Sequence, residues 1–373
     1  MLDRAARAAV RGIGDAEPNP PVGCVIARPT AGRAEILGIG HHRAFGMAHA
    51  EIEALEACAR ASRDPAGATA WVTLEPCAHH GKTPPCAEAL IDAGIAEVVF
   101  ARPDPHPDAT GGADRLRAAG VIVRESSASV EAVRLTDAFI TRLRTGLPWV
   151  IVKWAQTIDG RVADRAGASR WISGARSRLD VHRLRARVDA ILTGIGTASA
   201  DDPALTARGL RRVRLNARRI VVDPRLEMNP AALLVRTARD APTMLWCEER
   251  AVLDARDRAV ALESAGVEIR PLPARDGRLD LAVGLRRLAR DHGAARVLVE
   301  AGPGLVGDLA ARGLIHEIRA YVAPALLGDA RAAPAVGGEE PRPLAGAERF
   351  RLVRMRRFGD DALLIWRRPT PVQ

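Results

Sequence analysis

"HAEIEAL", residues 49–55, sets a histidine, a carboxylate two positions later and an apolar helical pattern side by side. Alone this is a weak signal, because a lone helical histidine is most often structural. "TLEPCAHHGKTPPC", residues 73–86, changes its weight by adding two cysteines with eight residues between them. His49, Cys77 and Cys86 then form a three-donor set. Two thiolates and an imidazole hold Zn²⁺ tetrahedrally and leave one position open, which a closed four-ligand site does not. Water at an open zinc position is acidified toward neutral pKa. Glu51, in the first turn of the same helix, can face that water without ligating the metal, which makes it the expected proton shuttle. A closed structural site completed by His79 or His80 is the competing arrangement, and it leaves Glu51 unexplained.

The rest of the chain frames this site. At 373 residues the length predicts about two domains. Hydrophobic residues make up 47% and charged residues 27%, with no apolar run near the roughly 18 residues that span a bilayer. The opening "MLDRAARAAVRGIG" lacks the apolar core of a signal peptide, so a cytoplasmic location is expected. Five cysteines, an odd and sparse set, do not read as a disulfide framework. The net charge of +10 is uneven: residues 1–146 carry 16 basic and 18 acidic side chains, so the excess lies in the remainder. An anionic partner is expected there. Aromatics at 3% argue against stacking on single-stranded nucleic acid and favour a phosphorylated small molecule. Among 55 basic residues only Lys82 and Lys153 are lysines, and an ammonium is not interchangeable with a guanidinium.

Periodicity predicts α/β structure throughout. A helix over "LDRAARAAVRGI" precedes two antiparallel strands, "VGCVIA" and "AEILGIG". The helix "HAEIEALEACARAS" is expected to turn Ile52, Leu55 and Ala59 inward. "ATAWVTL", "AEVVFA" and "VIVRE" read as strands, and "PPCAEALIDAG" and "ADRLRAAG" as helices, giving a mixed sheet. One helix, "ASVEAVRLTDAFITRLRTG", leads to a boundary near Gly146, so the domains are read as 1–145 and 146–373. The second again alternates, through "DAILTGIGT", "RRIVVD", "PTMLWC", "VEIRPLP", "LAVGLRRLARDHG", "ARVLVEAGPGLVGDLAARGL" and "ALLIWRR". Its "EAGPGLVGDLA" puts glycines between a strand and a helix N-terminus, where backbone N–H groups can meet phosphate, although the spacing is not G-x-G-x-x-G. Cys24, Cys58 and Cys247 are expected as small core residues, and His41 and His42 as loop residues.

Zinc deaminases carry H-x-E followed by P-C-x-x-C. With the wider cysteine gap, "PNPPVGCVI", "HAEIEAL", "TLEPCAHHGKTPPC", "KWAQTIDGR", "WISG", "ILTGIGTASADDPALTAR" and "VEAGPGLVGDLA" together resemble the bifunctional riboflavin-biosynthesis deaminase/reductase family from about residue 3 onward. The resemblance implies a cytidine-deaminase-like N-terminal domain and a C-terminal domain similar to dihydrofolate reductase. It implies one zinc per chain on His49, Cys77 and Cys86, with Glu51 as acid/base. The implied reactions are deamination of 2,5-diamino-6-(5-phosphoribosylamino)pyrimidin-4(3H)-one and NADPH reduction of the resulting 5-amino-6-(5-phosphoribosylamino)uracil. It further implies NADPH contacts at Ala155, Trp171, Thr197, Asp201 and Gly302, Pro303, Gly304, Leu305, Val306, Gly307 and Asp308. Substrate contacts are implied at Asn19, Ser169, Arg185, Leu205, Arg208 and Glu300, with Arg185 and Arg208 as phosphate clamps. Lys153, on the strand that carries Ala155, is read as a polar contact in the same site. Pro224 stands where some relatives have a cofactor-contacting serine. Asp201 and Glu300 are the carboxylates considered for proton relay in the reduction.

The rival reading is an RNA deaminase with a basic binding domain, and a blander one joins a structural zinc module to a nucleotide-binding module. The cysteine gap, the scarce aromatics and "AGPGLVG" count against the first, and Glu51 against the second. No nucleic-acid or membrane partner is expected, and a homo-oligomer, dimer or tetramer, is.

Overall fold

The structure is a computed structural model that describes residues 1–369 apart from 31, 80–84, 108, 212, 214, 215 and 339–342. The chain divides into two compact units, Met1–Gly146 and Leu147–Gln373.

The first unit runs α1 (Leu2–Ala9), β1 (Gly23–Thr30), β2 (Arg33–His41), α2 (Ala50–Arg60), β3 (Thr69–Val72), α3 (Cys86–Asp92), β4 (Glu97–Phe100), α4 (Gly112–Ala118), β5 (Ile122–Glu125), α5 (Val130–Arg134) and α6 (Asp137–Thr145). Among the described residues the strands form one sheet in the order β2-β1-β3-β4-β5. β1 is antiparallel to both neighbours and β3, β4 and β5 are parallel, so the sheet is mixed as the sequence predicts. Side chains alternate along β1. Cys24 and Ile26 pack with Ala54 and Cys58 of α2 and Leu90 of α3, whereas Val25 and Ala27 pack with Ala5 of α1 on the opposite face.

α2 differs from its expected orientation. Its buried residues are Ala50, Glu51, Glu53, Ala54 and Cys58; Ile52 and Leu55 are half-buried and Ala59 is exposed. The reason lies in "LGIG" of β2. A Cβ on Gly38 would fall 2.2 Å from the Ala54 carbonyl oxygen, and one on Gly40 would fall 2.2 Å from that of Ala50. The helix therefore lies almost directly on the strand backbone, and only small residues fit that stripe. The long helix read over 128–146 is also two helices. Thr136 bonds back to the Val133 carbonyl at 3.3 Å and Asp137 turns to Arg102 at 3.1 Å, a local competition that interrupts the helix.

The second unit opens with β6 (Trp149–Gln156), β7 (Arg161–Ala163), α7 (Ala175–Arg185), β8 (Ala190–Gly194), α8 (Ile195–Asp201), β9 (Arg218–Val222), α9 (Leu233–Arg236) and β10 (Thr243–Glu248). It continues with α10 (Glu249–Asp254), α11 (Arg256–Ser264), β11 (Val267–Leu272), β12 (Ala274–Arg275), β13 (Arg278–Leu279), α12 (Leu281–His292), β14 (Arg296–Val299) and α13 (Pro303–Ala311). It ends with β15 (Glu317–Val322), β16 (Ala333–Pro334), β17 (Arg351–Phe358) and β18 (Asp361–Arg367). The main sheet has the order β11-β10-β9-β8-β14-β6-β15-β18-β17, with the strands from β11 to β15 parallel and β18 and β17 antiparallel. Central strands read "VIV", "AIL" and "VLV" because both faces are covered, as parallel sheets require. β17, "RLVRMRRF", is mostly exposed at the sheet edge, and its charge hides it from a periodicity reading.

Arg219 on β9 is fully buried, and among the described residues no carboxylate lies at bonding distance. Its guanidinium donates to the carbonyls of Ala204, Leu234, Thr237 and Ala241 and to the hydroxyls of Thr237 and Thr243. Burial lowers it to about 10, with Asp240 opposing the shift.

Gly40→Ala tests the helix-on-strand contact. The added methyl meets backbone, so the variant should lose about 1–3 kcal/mol of stability. It should also bind zinc less than fully, since the contact lies one residue from His49. Denaturant unfolding and bound-metal analysis measure both losses.

Candidate functional site

His49 is the N-cap of α2 (ψ 165°), Cys86 opens α3 behind Pro85, and Cys77 lies in the loop after β3. Their ligand atoms lie within 4.8 Å of one another. His49 Nδ1 is 3.2 Å from Cys86 Sγ and 3.6 Å from Cys77 Sγ, and the Cys86 amide points at Cys77 Sγ from 3.5 Å. Hydrogen bonds from Cys86 and His49 outweigh burial and pull the Cys77 thiol down to about 4. One imidazole and two sulfurs converging in a mostly buried site, one of them readily ionised, is a donor set that fits zinc. Glu51 stays outside the trio and is 4% exposed. Burial raises its carboxyl to about 7, with His49 opposing and Cys77 adding to the rise.

The loop that bears Cys77 is held by Glu75. Its carboxylate accepts from the amides of Asp104 at 3.2 Å and Ala113 at 2.9 Å. A Cβ on Gly112 would lie 1.7 Å from the Pro76 carbonyl, so the second glycine of "ATGG" is required by close backbone approach. His80 and Lys82 fall outside the described residues, as does most of the turn between the cysteines.

A cavity of about 400 Å³ opens beside the trio, lined by His49, Glu51 and Cys77 and by Asn19, as the resemblance implies. Asn19 Nδ2 lies 3.3 Å from His42 Nε2. His42, read as a loop residue, is 2% exposed on the cavity wall, with its ring edge-on to that of His49 at 5.4 Å. Its Nδ1 lies 3.0 Å from the Ala48 carbonyl, and burial lowers its pKa below the ordinary histidine value. Asp104, His106, Phe139 and Arg142 also line the cavity and escaped the sequence reading. The histidine following "GIGH" is a faint signal for His42. The others sit in a Pro-rich loop and on a helix with no chemical signature.

In the second unit Glu300, just after β14, collects two cations. Arg185 donates both Nε and Nη2 to it at 2.6 and 3.0 Å, and Lys153 Nζ stands 3.6 Å away. Burial works to raise this carboxyl, but Arg185 and Lys153 overcome it and hold Glu300 at about 2. Glu300 is thus held as an anion by its two cations. Arg185, expected as an open phosphate clamp, has its fork on Glu300 and Nη1 on the Thr206 carbonyl at 3.1 Å. Arg208 remains an exposed guanidinium nearby in sequence, beside buried Leu205 (φ 48°).

A groove of about 960 Å³ runs past the ends of β8 and β9 and the N-terminal turns of α13, lined among others by Gly196, Pro224, Gly304, Leu305 and Asp308. Gly302 caps α13 and its amide donates to Thr197 Oγ1 at 2.9 Å, which ties the two glycine turns together. Added Cβ atoms on Gly196 and Gly304 would meet nothing within 4 Å, so these turns face open space, whereas Gly307 is needed for contact with the Gly337 carbonyl. Val306 is core and Pro303 occupies the first helical turn. A helix N-terminus bordered by open glycines fits a dinucleotide pyrophosphate. Ala155 packs beside Tyr321 and Ser169 is half-buried. Trp171 is 70% exposed with the Arg178 guanidinium 4.5 Å from its ring, and Asp201 lies 3.7 Å from Arg170. These four do not line the groove.

Comparison with known proteins bears on both units. Residues 1–102 match the cytidine and deoxycytidylate deaminase zinc-binding region, and residues 148–364 match the RibD C-terminal domain. The chain is 39% identical to the riboflavin biosynthesis protein RibD of Escherichia coli, with 97% of each chain covered. The chain belongs to the RibD family. It is 40% identical to RibD of Mycobacterium tuberculosis over 94% of this chain and 91% of that one. The solved RibD of Acinetobacter baumannii superposes with a TM-score of 0.78 at 34% identity, covering 99% and 98% of the two chains. A Thermotoga maritima structure described as a diaminohydroxyphosphoribosylaminopyrimidine deaminase and 5-amino-6-(5-phosphoribosylamino)uracil reductase gives 0.81 at 29% identity, covering 99% and 97%. Like the rest of the RibD family, the chain is a bifunctional riboflavin-biosynthesis enzyme, a zinc deaminase joined to an NADPH-dependent reductase. No helix among the described residues is long and apolar enough to cross a membrane.

The carboxylate cluster yields a pH prediction. Glu300, and Glu317 between Arg319 and Arg367, are both held at about 2 against an ordinary 4.5. Their folded pKa values are depressed, so their stabilisation is complete above about 4.5 and is lost as pH falls from there toward 2. Five of the six tryptophans lie beyond Gly146, so tryptophan fluorescence reports this unit. Glu300→Gln leaves the half-buried Arg185 without its anion and should cost about 1–3 kcal/mol at neutral pH. The same variant should unfold with a shallower dependence on acid.

Proposed function

We propose that residues 1–145 carry out the deamination and residues 146–373 the reduction, with His49, Cys77 and Cys86 holding the zinc and Glu51 moving the proton. The observation that carries this reading is the mostly buried trio with Glu51 beside it on the wall of one cavity. When bound, zinc supplies the Lewis acidity that activates water at neutral pH. A carboxyl raised to about 7 exchanges protons near the working pH. Glu51 takes the proton released as water attacks the amino-bearing ring carbon and passes it to the departing ammonia, so a C–N bond is exchanged for C=O. Asn19 and His42, held to each other, orient the pyrimidine from the cavity wall.

For the reduction, NADPH supplies the hydride that reaches C1′ of the ribosyl group. The glycine turns at Gly196 and Gly302–Gly304 seat its pyrophosphate, with Thr197 bracing them. Glu300 fixes Arg185 and Lys153 beside the substrate, and Lys153, Asp201 and Glu300 are the groups able to relay a proton. Arg208 meets the substrate phosphate. Ala155, Trp171, Ser169 and Leu205 complete the contacts in this reading once both ligands are bound. A homo-oligomer, dimer or tetramer, and a cytoplasmic location belong to the same reading. Exposed Leu352 and Met355 on the edge strand β17 support the first, and five buried free thiols the second.

The diaminopyrimidine substrate should release ammonia without NADPH, and NADPH should be oxidised only after deamination. Glu51→Gln should lower ammonia release about 10²- to 10⁴-fold, the span of general acid–base catalysis. It should leave reduction of the supplied deaminated intermediate intact. Full ammonia release by Glu51→Gln would remove Glu51 from this role.

A further inference from the structure

α7 carries more than Arg185 toward the reductase site. The chain beyond Ala204 runs back along this helix: the Thr206 carbonyl accepts from Arg185 Nη1 at 3.1 Å, the Arg208 amide donates to His182 Nδ1 at 3.3 Å, and a Cβ on Gly209 would lie 3.9 Å from Leu179 Cδ1. Leu179, His182 and Arg185 follow one another at intervals of three and so lie along one face of α7. Leu205 enters this path with φ 48°, a left-handed turn that strains a leucine and persists only where its surroundings hold it. The holds on either side are Arg219 Nη1 on the Ala204 carbonyl at 3.2 Å and the two α7 side chains on residues 206 and 208.

His182 Nδ1 stands between an acceptor and a donor, the Thr206 carbonyl at 3.2 Å and the Arg208 amide at 3.3 Å. A neutral imidazole can serve only one of them through that nitrogen. The Thr206 carbonyl already has Arg185, whereas the Arg208 amide has no other acceptor among the described residues, so Nδ1 accepts and Nε2 carries the proton. Burial and then Arg185 press this histidine below its ordinary pKa, with Arg208 adding to the fall and the Thr206 carbonyl and Glu300 opposing it, which keeps the acceptor lone pair available at neutral pH. Of the three cations read as substrate contacts, Arg185 and Lys153 lie on Glu300. The Arg208 guanidinium is exposed and has neither a hydrogen bond nor an ion pair among the described residues. A side chain on a loop reaches one place reproducibly only if its backbone is fixed.

We propose that His182 is a positioning residue of the reduction, holding the Arg208 backbone so that its guanidinium meets the phosphate of the substrate. The inference rests on the assignment of that phosphate to Arg208. Restricting Arg208 in the free enzyme lowers the ordering that binding would otherwise require, so the effect falls on affinity rather than on hydride transfer.

Steady-state reduction of 5-amino-6-(5-phosphoribosylamino)uracil by the full-length protein tests it. His182→Ala should raise KM for this substrate about three- to tenfold, the loss of one hydrogen bond, with kcat and KM for NADPH changed less than about twofold. His182→Asn, whose side-chain oxygen takes the place of Nδ1, should return KM to within about twofold of the unaltered protein. With the dephosphorylated riboside, His182→Ala should leave KM unchanged. An unchanged KM for the phosphorylated substrate in His182→Ala overturns the proposal, as does an equal loss on the riboside, or His182→Asn no better than His182→Ala. Arg208→Ala separates the proposal from the reading on which it rests: it should raise KM on its own, and His182→Ala should add nothing to it. If Arg208→Ala leaves KM unchanged, the phosphate assignment fails. If it raises KM and the second substitution still adds its full loss, that assignment stands and the role of His182 falls.

Discussion

The metal trio depends on how closely one helix can approach one strand. Gly38 and Gly40 let the backbone of α2 rest on that of β2, and this depth of contact fixes the position at which the helix begins. His49 is the N-cap at that point and Glu51 lies in the first turn, so both inherit their positions from main-chain packing rather than from side-chain contacts of their own. The other half of the site is set in the same way. Gly112 lets α4 press on the Pro76 carbonyl, Glu75 binds two amides across the gap, and Cys77 follows two residues later. A site whose ligands come from three separated segments can be rigid only if each segment is tied by its backbone.

The second unit solves a different problem with charge. Glu300 is half-buried, its side chain 12% exposed, and a carboxylate withdrawn from water persists only with partners. Arg185 and Lys153 supply them from α7 and β6, so a single anion fastens a helix to two strands of the sheet. Lys153, picked out against an arginine-rich background, sits where a compact ammonium fits beside a guanidinium already in place. Deaminase and reductase use opposite protonation behaviour of the same functional group. Burial without a strong cation raises Glu51, and burial with two cations lowers Glu300.

Most of the strands and the metal-binding residue types were legible because they rest on local signals, such as alternation along β1, apolar runs in β8 and β14, and cysteines flanking a turn. The orientation of α2 was not. Hydrophobic periodicity picks Ile52, Leu55 and Ala59, and a backbone-to-backbone contact asks instead for the smallest residues, which that signal scores low. The break at Thr136 was missed because threonine and aspartate are tolerated within helices, and only their partners reveal the interruption. His42, Asp104 and Arg142 reach the cavity from chain segments far from the cysteines, and nothing in a linear reading brings them there. Similarly, "VGDLA" reads as a phosphate turn throughout, yet Gly307 answers to the segment at Gly337, thirty residues downstream.

Arg219 bears on motion. A guanidinium shared among four carbonyls and two hydroxyls binds Ala204 to the same point of the sheet as Leu234, Thr237 and Ala241. The chain leaving α8 is therefore immobilised as far as Ala204. Beyond it Leu205 is buried with a positive φ, the Thr206 carbonyl accepts from Arg185 at 3.1 Å and the Arg208 amide donates to His182 Nδ1 at 3.3 Å, and the chain is exposed at Arg208 and Gly209. The backbone is thus tied first to the sheet and then to α7, and the Arg208 guanidinium reaches into solvent from an anchored main chain, so hydrogen exchange along this segment would stay slow up to Arg208.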